Sequence, residues 1–154
     1  MDVVGDRRYE APVRFNLGLT LNGQEKYAEA LPHLERALEL VRSGQMGGEA
    51  QDLTIQLALA WSLRAVGEGE RANALIESVA KSAIIERDHA LKTQVLSYEA
   101  ARLAEKGERG QAIAMLSGIS QEGLSEVVIH SILKQLSKIQ EDAGQHAAAA
   151  ATLR

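Results

Sequence analysis

Gly67-Glu68-Gly69-Glu70-Arg71-Ala72 has the spacing G-x-G-x-x-A, in which glycines let a backbone approach a pyrophosphate at a helix N-terminus. That chemistry requires a preceding strand inside a βαβ unit. Here a stretch rich in Leu and Ala precedes the glycines, and Glu68 and Glu70 would repel an anion, so the segment is predicted as a turn between helices. The histidines, His33, His89, His130 and His146, could ligate a metal. None falls in an H-E-x-x-H arrangement, and they are expected on surfaces or in partly packed positions. The carboxylates mostly stand beside Lys or Arg, as in Glu35-Arg36, Glu86-Arg87 and Glu105-Lys106. That pattern belongs to solvated faces, not to a tuned acid–base pair. No G-x-S-x-G nucleophile elbow occurs. The chain has no cysteine, which excludes disulfides and thiolate metal sites. The expectation is a protein that is not an enzyme and carries no metal or cofactor.

The composition bounds the scaffold. At 154 residues the chain makes one compact unit or one short solenoid. Hydrophobic residues reach 45% while aromatics are 3%, so a core is available, and it must be built from the Leu and Ala that favour helices over sheets. The net charge of −4 gives no basic excess to neutralise phosphates, which argues against a nucleic-acid partner. No apolar run approaches the roughly 18 residues needed to span a bilayer, and the start, Met1 to Arg8, lacks a signal-peptide core. A cytoplasmic location is expected, with no membrane insertion.

Apolar periodicity and punctuation predict eight helices. Residues 1–10 read as a poorly ordered leader, and 11–154 as a helical repeat domain, in whole or as a piece of a longer protein. The first helix is predicted over 11–23, with a turn at Asn22-Gly23-Gln24. The second covers 27–42 and contains Pro32 near its start; Ser43-Gly44 closes it. Ser43 to Gln51 reads as a flexible linker. Helices follow over 51–66 and 70–84. Asp88 is the candidate N-cap of a helix over 88–106, and Ser125 that of a helix over 125–142. A short helix closed by Ser117-Gly118 lies between these two, and a last helix follows Gly144.

These helices carry one pattern four times. Arg14, Leu17-Gly18 and Leu21 are followed by Tyr27, Ala30, Leu34 and Ala37. Gln56, Leu59-Ala60 and Leu63 precede Gly67, Ala72 and Ile76. Leu96, Glu99-Ala100 and Leu103 precede Gly107, Ala112 and Leu116. Leu133, Leu136-Ser137 and Gln140 precede Gly144, Ala149 and Leu153. The alanines are spaced by 42, 40 and 37 residues. Small residues at 18, 60 and 100, and alanines at 30, 72, 112 and 149, permit close helix contact. Leu17, Leu21, Leu59, Leu63, Leu96 and Leu103 form an apolar stripe that one hairpin cannot bury alone, so neighbouring hairpins must stack.

The pattern resembles the tetratricopeptide (TPR) signature, W-x2-L-G-x2-Y followed by A-x3-F. Its period exceeds the usual 34 or so and is similar to the extended repeats of kinesin light chains and MalT-type regulators. The resemblance implies an all-α, right-handed solenoid of about four helical hairpins. It also implies a protein–protein interaction module, an adaptor or scaffold, that holds a peptide or partner helix in a concave groove. Mapped onto this chain, the groove is lined by Phe15, Asn16, Leu19 and Asn22, then Leu57, Trp61 and Arg64, then Gln94 and Tyr98, then Lys134 and Lys138. Leu19 and Trp61 stand where a carboxylate clamp would need polar partners, so an apolar segment or amphipathic helix suits this lining better. The alternative is the sensor domain of a regulator, binding a peptide or small ligand. The alanine face of the C-terminal helix offers a homodimer contact.

Overall fold

Eight α-helices follow one another, with no strand among the described residues. The computed structural model describes residues 9–44 and 48–153, with only the backbone at His146 and Ala147. The leader predicted over 1–10 lies outside the described residues up to residue 8, and Glu10 already belongs to the first helix. The helices are α1 (Glu10–Gly23), α2 (Tyr27–Arg42), α3 (Glu49–Ala65), α4 (Gly69–Ala80), α5 (His89–Glu105), α6 (Arg109–Ser117), α7 (Glu126–Asp142) and α8 (His146–Thr152). The chain divides into two compact units, one up to Ile85 and one from Glu86. Each holds two helical hairpins, α1/α2 and α3/α4 in the first, α5/α6 and α7/α8 in the second.

One turn closes all four hairpins. The N–H of Lys26, Glu68, Glu108 and Gln145 donates to the carbonyl five residues back, on Leu21, Leu63, Leu103 and Gln140, at 2.7–2.9 Å. This six-to-one bond needs a left-handed residue just before the donor. Gly67, Gly107 and Gly144 supply it with φ of 92°, 84° and 80°. In the first hairpin Glu25 takes that conformation at φ 61°. The turn therefore lies two residues beyond the expected Asn22-Gly23-Gln24, and Gly23 is the last residue of α1. The phosphate-loop lookalike is the corresponding turn between α3 and α4.

Both predicted side-chain caps form. Asp88 accepts the Leu91 N–H at 3.1 Å and Ser125 accepts the Val128 N–H at 3.3 Å. Two further boundaries differ from the pattern by two residues or more. α3 begins at Glu49, which shortens the linker, part of which (45–47) lies outside the described residues. α4 ends at Ala80, not 84, and a 3-10 turn follows over Ala83–Glu86. Ser82 causes the break: its hydroxyl accepts the Ile84 N–H at 3.3 Å and donates to Glu49 at 2.7 Å, local bonds that compete with the helical ladder.

The small residues sit where close contact demands them. Gly18, Ala30, Ala60, Ala72, Ala100, Ala112 and Ala149 are all buried. At Ser137, the fourth copy's small position, the hydroxyl donates to the Ala149 carbonyl at 3.2 Å, a polar version of the same helix-to-helix approach. Leu21, Leu59 and Leu63 are buried as the stripe predicts, and Leu96 and Leu103 are half-buried. Leu17 departs from it, 41% exposed on the outer side of α1.

Candidate functional site

In the first unit, α1 and α3 lie side by side and are tied by Asn22. Its Nδ2 donates to the Ala58 carbonyl at 3.2 Å, and its Oδ1 accepts the Ser62 hydroxyl at 2.6 Å. Both polar ends of Asn22 are thus engaged within the unit, so its role is to set the spacing of the two helices. Leu19 and Trp61, 42 residues apart, occupy equivalent positions on the face those helices share. Leu19 is 43% exposed, and Trp61 and Phe15 are half-buried. The Arg64 guanidinium carbon lies 5.8 Å from the centre of the Trp61 ring, within cation–π range. Arg64 follows Trp61 by three residues, the helical interval that brings two side chains together. Asn16 is exposed along the same helix as Phe15 and Leu19.

Leu57 does not join this face. It is 1% exposed, packed inside the first unit and unable to reach a partner. The same correction applies to Tyr98 in the second unit, 0% exposed on α5. Apolar bulk explains both: at positions flanking a packed stripe, a Leu or Tyr side chain is removed from water when neighbouring helices close over it. In the second unit Gln94 is half-buried, and Lys134 and Lys138 lie on α7 outside its buried face. The counterpart of the Asn22 tie joins α5 and α7. Gln135 Nε2 donates to the Ser97 carbonyl at 2.8 Å, and the Ser97 hydroxyl donates to Gln135 Oε1 at 2.6 Å. Neither Ser62, Ser97 nor Gln135 stands out in the sequence. Their only signal is a polar residue at a position where a helix stripe should be apolar.

Several titratable residues form structural pairs. His33 Nδ1 lies 3.0 Å from Arg14 Nη1, His89 Nε2 lies 2.8 Å from the Ser120 carbonyl, and His130 is exposed. The expectation for His146 lies outside the described side chains. Asp52 joins α3 to the end of α2 through Arg42, with Nε to Oδ2 at 2.8 Å, and also accepts from Gln56. Burial pushes its carboxyl up, but hydrogen bonds from Arg42 and Gln56, with the Arg42 charge, outweigh it and hold the group below its ordinary value. Glu10 on α1 bridges to Arg36 on α2 at 3.1 Å. Among the described residues no group of three His, Asp or Glu could hold a metal, and no helix is long and apolar enough to cross a membrane.

The exposed chemistry is therefore a helix face of aliphatic and aromatic side chains with an arginine laid over the indole, on paired helices held by small-residue contacts. No curated protein and no solved structure is significantly similar to the chain. A family model described as Tetratrico peptide repeat matches residues 13–128, a span from the outer face of α1 into α7 that takes in the first three hairpins. The four repeated turns, the buried small residues and this match agree, and the chain belongs to the tetratricopeptide repeat family.

Proposed function

We propose that the chain binds a peptide or partner helix on the face shared by α1 and α3, with Trp61 as the anchor. Tetratricopeptide repeats are protein–protein interaction modules that bind proteins or peptides and are typically non-catalytic. The observation that carries the finer reading is the Trp61–Arg64 stack, half-buried beside exposed Leu19. Trp and Arg dominate binding hot spots because they combine large apolar area with directed polar contacts. Prepacking the guanidinium on the indole lowers the entropy lost when a ligand closes over them. Phe15 and Asn16 extend the face on α1, while Asn22 holds its geometry. In the second unit, Gln94, Lys134 and Lys138 are the residues offered to a partner. The alanine face of α8 is a proposed homodimer contact, with Ala148, Ala150 and Ala151 exposed.

The test selects helical peptides on the wild-type protein from a display library and measures their binding to Trp61→Ala. Loss of an anchor should cost at least about 2 kcal/mol, near thirtyfold in Kd. The stability cost should stay below the roughly 3–5 kcal/mol of a fully buried Trp. Trp61 is the only tryptophan, so its emission should shift to shorter wavelength on binding. Equal affinity for both proteins would remove this face from consideration. Saturable binding of a small metabolite that displaces the peptide would favour the sensor reading.

A further inference from the structure

The outer row of α1 has precedents within the same chain. Val13 and Leu17, four residues apart and 61% and 41% exposed, lie on one side of the helix, and Tyr9 continues the row at its N-terminal end. Moving by the repeat spacing of 42 residues leads to Ile55 and Leu59 on α3, and moving by 119, the sum of all three spacings, leads to Ile132 and Leu136 on α7. All four of those side chains are buried. On α3 the covering helix is α2, whose Leu38 lines a cleft together with Leu59. On α7 it is α6, whose Ala112 and Leu116 share a core cluster with Ile132 and Leu136. In both cases the cover is the second helix of a hairpin, which presents aliphatic or small residues at three- to four-residue spacing, and α2 is the strongly amphipathic one. Two other sides of α1 are already used within the unit, where Gly18 meets Leu34, Glu10 reaches Arg36 and Asn22 reaches α3, and the side carrying Phe15 and Leu19 belongs to the Trp61 face.

We infer that the Val13–Leu17 row is a second docking site, separate from the Trp61 face, and that it takes an amphipathic α-helix of the α2 kind from a partner protein. The repeat geometry states the chemistry of that helix. It needs aliphatic residues at i and i+3, as in Leu38 and Val41 of α2, which line clefts with Leu59 and with Leu53 of α3, to sit on Val13 and Leu17. Charged ends are not required, because the row itself is apolar.

The probe is a synthetic peptide of residues 27–42, stapled through positions 35 and 39, which are exposed on α2 and so leave the packing face intact. The staple offsets the weak helicity of so short a peptide. Titrated into the full chain, it should bind saturably. Binding should weaken at least tenfold in Val13→Asp/Leu17→Asp and stay unchanged in Trp61→Ala, with the unfolding midpoint of the double variant near that of the wild type. Should the double variant fail to fold, Val13→Lys alone read by the same titration decides. No binding, or equal binding to the row variants, overturns the inference. So does a wild-type dimer that these substitutions convert to monomer, which would give the row to a second copy of the chain.

Discussion

Gly18→Ala should destabilise the protein, although alanine is the better helix former, and the sign should reverse when Leu34 is shortened. A methyl on Gly18 would lie 2.5 Å from Cδ2 and 2.6 Å from Cγ of Leu34, about 1 Å inside ordinary carbon–carbon contact. Leu34 is completely buried, so it has no free rotamer to escape into. Overpacking of this kind costs roughly 1–3 kcal/mol, while replacing a mid-helix glycine by alanine returns about 1 kcal/mol. The net loss is about 1 kcal/mol, or roughly 0.5 M in urea midpoint for a slope near 2 kcal/mol/M. Leu34→Ala alone should cost about 2–5 kcal/mol through the cavity it leaves. In that background the methyl added by Gly18→Ala meets no crowding and should stabilise by about 1 kcal/mol, giving a coupling near 2 kcal/mol in the double-mutant cycle. The assay is urea unfolding followed by the fluorescence of Trp61, which lies in the same unit. Gly110→Ala on α6, with no atom within 4 Å of the added methyl, is the control for propensity and should be neutral or stabilising by circular dichroism. If Gly18→Ala raises the midpoint in the wild-type background, or acts with the same sign in both, the close approach of α1 to α2 is wrong.

Two further sets of substitutions test the turns and the charges. Glu25 adopts φ 61° where the other three hairpins use glycine, so Glu25→Gly should stabilise by up to about 1 kcal/mol and Gly67→Ala should destabilise by a similar amount; urea midpoints moving the other way contradict the turn assignment. The Asp52 carboxyl is held below its ordinary value by Arg42 and Gln56 against the opposing effect of burial. The unfolded chain therefore binds the proton first as pH falls, and the contribution of Asp52 to stability is present above the ordinary carboxylate value near 3.9 and lost as pH drops through the lower folded value. The stability gap between wild type and Asp52→Asn should stay level from pH 7 to about 5 and shrink below about 4; a gap unchanged down to about pH 2 would show that Asp52 is not so held.

Much of the fold was legible because its signals are local. Asp88 and Ser125 cap helices through bonds to residues three positions on. Gly67, Gly107 and Gly144 end helices because only a left-handed residue completes the six-to-one bond. The repeat spacing of the alanines placed Ala30, Ala72, Ala112 and Ala149 in the core, since only a small side chain lets two helices close together. Where a side chain competed with the backbone, as at Ser82, or an ordinary residue took the left-handed turn, as at Glu25, the pattern misplaced the boundary by a few residues.

The candidate site was legible only in part. Phe15 and Leu19 on α1, and Trp61 and Arg64 on α3, fall on corresponding helix faces by spacing alone, and the structure keeps them at least partly accessible. Leu57 and Tyr98 met the same positional rule and were buried, and Asn22 turned out to bond within the unit. The comparison of Leu17-Gly18 with Leu59-Ala60 shows why. The two pairs have the same local pattern and spacing, yet Leu17 is exposed and Leu59 buried, because α2 lies over α3 and no described helix lies over that side of α1. Helix formation, capping and turning depend on residues within a few positions, so the hairpins and their repeat can be read along the chain. Exposure depends on which other helix covers a face, a property of residues tens of positions away, and it is set only when the helices pack.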